Sequence, residues 1–76
     1  MNILLDFRLI LLVVDFLKLM ILAFERSEIE YDLFCECCVI KIHFVENLIQ
    51  HIPSVKKREE ARLIIDRCKD LISVYC

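Results

Sequence analysis

The sequence predicts an all-α protein in which residues 1–76 form one three-helix domain. Glycine is absent and proline occurs once, at Pro53, so the residues that make tight β-hairpin turns are missing. Apolar residues recur with a helical period in three stretches, and breaks near Ser27 and Pro53 separate them. No linker composition or internal repeat marks a second domain.

The first predicted helix covers residues 2–26 and is apolar over most of its circumference. At about 100° per residue, Leu, Ile, Val and Phe fill all but one narrow arc of this helix. Asp6 is an exception, because it projects from the otherwise apolar side. The charged residues of the narrow arc are Arg8, Asp15, Lys18, Glu25 and Arg26.

The second predicted helix covers residues 28–51. The run Ser27-Glu28-Ile29-Glu30 matches a capping box and predicts Ser27 as the N-cap. Partial alternation over residues 28–37 and 40–44 also fits strands, but no turn residue separates the two runs, so we prefer the helix. Its polar stripe is Asp32, Glu36, His43, Asn47 and Gln50, and its apolar side carries Leu33, Phe34, Cys37, Ile40, Phe44, Val45, Leu48 and Ile52.

The third predicted helix covers residues 54–74. Pro53 disfavours helical geometry in the residue before it and ends the second helix, and Ser54 is then the predicted N-cap of the third. The apolar stripe of this helix has the ordinary width of a surface helix. It consists of Ala61, Ile64, Ile65, Cys68, Leu71, Ile72 and Tyr75.

The apolar content exceeds what a lone domain of this length buries. Hydrophobic residues make up 59% of the 76 residues, and the mean hydropathy is +0.61. Soluble domains average about 45–50% apolar residues, and a chain this short buries only about 60% of its unfolded surface. Because the first two helices are apolar over more than half their circumference, we expect a protein or membrane contact there.

Membrane association through the first helix is the alternative. Ile3–Leu22 is long enough to span a bilayer, but its four charged residues bring the insertion free energy close to zero. Its charged stripe has both signs, whereas helices that lie on membranes carry mainly Lys and Arg on the polar face. We therefore prefer a protein-covered helix. The formal net charge of -2 makes nucleic acid an unlikely partner.

The five cysteines include a C-x-x-C spacing, Cys35 to Cys38, and His43, Cys68 and Cys76 are the further residues that a zinc site would need. On a helix Cys35, Cys37 and Cys38 fan over about half the circumference, and a second ligand pair is missing. A redox role is disfavoured because the motif lies inside a helix rather than at its N-terminus. We expect free, mostly buried thiols, no metal or cofactor, and a reducing intracellular compartment, most simply the cytoplasm.

Enzymatic activity is not expected. His43 shares a stripe with Glu36 and Asn47, but no nucleophile motif accompanies them, and a Gly-rich phosphate loop needs glycine. The basic run Lys56-Lys57-Arg58 is followed directly by Glu59 and Glu60, which is typical of a solvated, self-compensating helical turn.

Lys41 lies within the apolar side of the second helix. Either its stem packs there while the ammonium reaches solvent, or it pairs with Asp6 across a helix pair or interface and sets the register. We expect a helical interaction subunit that docks through its first two helices onto a larger protein assembly or a copy of itself. The predicted contact residues are Phe7, Leu11, Phe16, Leu19, Phe24, Phe34, Lys41, Phe44 and Leu48.

Overall fold

The computed structural model describes the backbone of residues 3–76 and the side chains of residues 7–76. Its elements are α1 (Ile3–Glu25), α2 (Tyr31–Gln50) and α3 (Val55–Ser73). Each helix packs against the other two, which confirms the all-α three-helix fold.

The strand alternative for the second segment is wrong. Within the backbone that the structure describes there is no strand, and the residues from Tyr31 to Gln50 are continuously helical. The predicted polar stripes of α1 and α2 are exposed along their whole length, as the helical period requires.

Each helix contributes one stripe of side chains to the core. Successive buried residues are three or four positions apart, except for the adjacent Val13 and Val14 of α1 and the seven-residue step from Cys38 to Val45 in α2. Such spacing keeps the buried residues on one side of a helix of 3.6 residues per turn. Ile52, in the connection between α2 and α3, is also buried in this core. The buried residues are Ile10, Val13, Val14 and Leu17 of α1, Phe34, Cys38, Val45 and Ile49 of α2, Ile52, and Ala61, Ile65, Cys68 and Ile72 of α3.

Ser27 ends α1 instead of starting α2. Its φ of 60° is left-handed, the Ser27 N–H donates to the Phe24 carbonyl at 3.0 Å, and the Glu28 N–H donates to the Ala23 carbonyl at 2.9 Å. These two bonds form a Schellman motif, which satisfies carbonyls that the helix end leaves open. The predicted N-cap at Ser27 is therefore wrong. Helix α2 begins at Tyr31, with Glu30 as an N-cap whose side chain makes no capping bond.

Ser54 caps α3 as predicted. Its side-chain oxygen accepts a hydrogen bond from the Lys57 N–H at 3.3 Å. Before it, the His51 and Ile52 N–H groups donate to the Leu48 and Ile49 carbonyls, each at 3.1 Å, so the last turn of α2 tightens ahead of Pro53. The connection between α2 and α3 is thus fixed by backbone bonds and by the buried Ile52.

An aromatic cluster joins the end of α1, the start of α2 and the end of the chain. The Phe24 ring stacks on Phe34 with centroids 4.6 Å apart, and Tyr75 meets both rings edge-on at 5.6 and 6.1 Å. The Tyr75 hydroxyl donates a hydrogen bond to a Glu25 carboxylate oxygen at 3.0 Å, which raises the pKa of Tyr75. Aromatic pairs of this geometry add about 0.5–1.5 kcal/mol each to simple burial.

A disulfide beside this cluster connects Cys35 in α2 to Cys76, with Cα atoms 6.0 Å apart. The expectation that every thiol is free is therefore wrong for Cys35 and Cys76, which lie 41 residues apart in sequence and meet only because α3 packs along α2. Cys37, Cys38 and Cys68 are free. The reducing compartment stays a prediction.

Replacing Ser27 by glycine should stabilise the protein by about 0.5–1 kcal/mol, because glycine adopts a left-handed φ without the steric cost that a Cβ atom carries. Denaturant unfolding of Ser27→Gly and the wild type measures the difference. Ser27→Val should shift the midpoint the other way, and a stabilising valine would contradict the assigned conformation.

Removing the disulfide should lower the free energy of unfolding by about 3–4 kcal/mol, since it closes a long loop in the unfolded chain. Cys76→Ser is the test variant, measured by denaturant unfolding without reductant. Cys37→Ser removes an unpaired thiol and serves as the matched control. Equal stability of Cys76→Ser and the wild type would show that the two cysteines are not bonded in solution.

Candidate functional site

Large apolar side chains remain exposed on the outer sides of α1 and α2. Among the side chains of residues 7–76, five such residues belong to each of these helices, against three on α3. Single exposed apolar residues are normal on protein surfaces, whereas contiguous groups of them mark contact sites. The exposed residues are Leu11, Leu12, Phe16, Leu19 and Leu22 of α1, Tyr31, Leu33, Val39, Ile40 and Phe44 of α2, and Val55, Leu63 and Leu71 of α3.

A contact between Lys41 and Phe16 shows which of these residues form one surface. The Lys41 ammonium lies 5.4 Å from the centroid of the Phe16 ring, so the Phe16 side of α1 adjoins the Lys41 side of α2. Helical spacing places further exposed apolar residues on the same two sides, before and after this contact. We call this surface the α1–α2 face, formed by Leu12, Phe16, Leu19, Leu33, Ile40 and Phe44.

Among the described side chains, Lys41 is the one charged residue between the two rows of the α1–α2 face. Its side chain is half-buried, and its ammonium sits over an aromatic ring, which is worth about 0.5–1 kcal/mol at an exposed site. The stem therefore packs on apolar surface while the charge stays near water. The alternative pairing with Asp6 lies outside the side chains that the structure describes.

Four of the predicted contact residues lie on this surface, and a fifth is exposed elsewhere. Phe16, Leu19 and Phe44 belong to the α1–α2 face, with Lys41 between them. Leu11 is also exposed, but it lies on the opposite flank of α1, toward α3.

The remaining predicted contact residues pack inward. Phe34 has no exposed surface and belongs to the core, so it offers nothing to a partner. Phe7, Phe24 and Leu48 are partly buried against the core, and the Lys57 ammonium lies 4.9 Å from the centroid of the Phe7 ring. The contact set omitted Leu12, Leu33 and Ile40, of which Leu33 and Ile40 were already placed on the apolar side of α2 by helical phase.

A groove between α1 and α3 forms the other flank of α1. Its volume is about 420 Å³, and buried Cys68 lies on its wall. Burial raises the pKa of the Cys68 thiol, and nearby Lys18 lowers it by a smaller amount. The residues that line the groove are Leu11, Val14, Asp15, Lys18, Ile64, Arg67, Cys68 and Leu71.

Free thiols in the core have little chemical reactivity. Burial, followed by the neighbouring Cys37 thiol, raises the pKa of Cys38 to about 11. The thiolate is the reactive form of cysteine, so Cys38 and Cys68 stay neutral and inert near pH 7. Among the residues that the structure describes, no three His, Cys, Asp or Glu side chains converge as metal ligands.

The second cavity, about 160 Å³, lies between α2 and α3 and is lined largely by polar side chains. Next to it the Lys69 ammonium donates to a Glu46 carboxylate oxygen at 2.9 Å, which raises the pKa of Lys69. His43 is exposed, with Nδ1 3.9 Å from the other Glu46 oxygen. Within the basic run at the start of α3, the Lys57 ammonium pairs with Glu60 at 3.5 Å.

In the part of the chain that the structure describes, no helix combines the length and the apolarity needed to cross a bilayer. Comparison with known proteins identified no matching family model, no matching curated sequence and no matching solved structure. The α1–α2 face is thus the feature of this chain from which a function can be argued.

Proposed function

We propose that this protein is a small helical interaction subunit whose α1–α2 face binds another protein chain. The observation that carries the proposal is the exposure of this face: Leu12 is 65% exposed, Leu19 64% and Ile40 57%. Burying apolar surface gains about 25 cal/mol per Å², so a partner that covers both rows gains more than one that covers a scattered residue.

The layout of the α1–α2 face resembles the layout of protein interfaces in general. Such interfaces have an apolar centre with aromatic anchors and a polar rim. Here Phe16 and Phe44 are exposed aromatic rings within the face. On the outer side of α2 the rim consists of Glu36, His43 and Asn47, all exposed.

The charges around the face favour protein over lipid as the covering surface. Helices that lie on membranes carry mainly Lys and Arg beside the apolar side, because these side chains attract anionic headgroups. The outer border of α1 carries both Arg8 and Asp15, and that of α2 carries Glu36. Such a mixed border gives little attraction to an anionic bilayer and suits a protein partner with its own charge pattern.

Photo-cross-linking tests this proposal with a matched control inside the same chain. The photoreactive residue p-benzoylphenylalanine replaces Leu19 in one variant and Leu63 in the other, since these leucines have nearly equal exposure, 64% and 60%, but lie on different helices. Irradiation of the cells that produce the protein should give covalent protein adducts from position 19 and at least tenfold fewer from position 63.

Three results would contradict the proposal: adducts to lipid at position 19, protein adducts of equal yield at both positions, or none at either. Sedimentation of the untreated protein with anionic vesicles separates the lipid outcome, because a protein-binding face predicts that the chain stays in the supernatant. Circular dichroism of both variants verifies that the helices are intact.

A further inference from the structure

A row in which charged and apolar residues alternate runs along the outer side of α1. Arg8, Leu12, Asp15 and Leu19 follow one another at steps of four, three and four residues, which places them in one row on a helix. All four side chains are exposed. We call this row the α1 crest; it forms the outer edge of the α1–α2 face.

The two charges of the crest have no ionic partner among the side chains of residues 7–76. They cannot reach each other, because seven residues of helix separate them by about 10 Å along the axis. Among the described side chains, each therefore presents a charge without an ion pair at the border of exposed leucines. A surface that binds this crest should place a negative group near Arg8 and a positive group near Asp15.

A second copy of the same crest meets this requirement when it runs in the opposite direction. The midpoint between positions 8 and 15 falls between Leu11 and Leu12, so a two-fold axis there sets Arg8 of each copy beside Asp15 of the other. We propose that the α1 crest is the seam of an antiparallel homodimer. This inference rests on the proposed function and names the partner as a second copy of this chain.

The parallel arrangement is disfavoured by the same charges. In register, it would place Arg8 against Arg8 and Asp15 against Asp15, and like charges that face each other destabilise a helix pair. In the antiparallel dimer both ion pairs form at the edge of a layer of leucines. Leu12 of each copy supplies that layer beside the axis, flanked by Phe16 on one side and by Leu11 on the other.

Charge reversal at the crest tests the seam directly. Arg8→Asp makes the crest wholly acidic and Asp15→Arg makes it wholly basic, so in either variant the symmetric dimer gains two repulsive contacts in place of two attractive ones. Each variant alone should dimerise at least tenfold more weakly than the wild type, measured by sedimentation equilibrium from micromolar to millimolar concentration.

Mixing the two variants provides the decisive measurement. A heterodimer of Arg8→Asp with Asp15→Arg restores opposite charges at both contacts, so the equimolar mixture should associate at least tenfold more tightly than either variant alone. Circular dichroism and thermal unfolding of each variant verify the fold. Arg62→Asp, an exposed reversal on α3, is the matched control and should leave dimerisation unchanged.

A wild-type protein that stays monomeric from micromolar to millimolar concentration would overturn the inference. It would also fail if the two variants dimerise as tightly as the wild type, or if their mixture does not associate. The cross-linking experiment separates a failure of this inference from a failure of the proposed function. If cross-linking at position 19 still yields protein adducts whose mass is not a multiple of the chain, the face binds a different protein. If it yields no protein adduct, the proposed function fails as well.

Discussion

In a bundle of three helices, each helix is covered only on the side that faces the other two, and the remainder meets solvent. Helix α3 matches this geometry, since its core residues Ala61, Ile65, Cys68 and Ile72 form one stripe beside a charged outer side. Helices α1 and α2 do not match it, because their apolar arcs extend beyond the covered side. The fold therefore exposes Leu12, Leu19 and Ile40, and the proposed interaction follows from that geometric limit.

The outer apolar residues lie outside the buried core of the bundle. The interior is closed by the core side chains, by the stacked rings of Phe24 and Phe34, and by the bond between Cys35 and Cys76. Because these contacts all lie on the inward sides of the helices, a substitution on the α1 crest should leave the fold intact. Association and folding can consequently be measured apart from each other.

Local patterns in the sequence predicted the features that depend on neighbours in the chain, including three helices, their polar stripes and the Ser54 cap. They failed for the features that tertiary packing determines. Ser27 fits an N-cap by residue type but takes the left-handed position that ends α1, where glycine is usual and this chain has none. On α2 the apolar arc is so broad that helical phase did not separate buried Phe34 from exposed Phe44, and the partner of Cys35 depends on how α3 docks.

The proposed interaction requires that protein covers the α1–α2 face in the native state. Hydroxyl-radical footprinting of the protein in its native extract measures this through three leucines of nearly equal exposure in the isolated chain, Leu12, Leu19 and Leu63. A covered face predicts that Leu12 and Leu19 are oxidised several-fold less than Leu63, and that the difference vanishes in the diluted, isolated chain. Equal oxidation of all three in the extract would contradict the account.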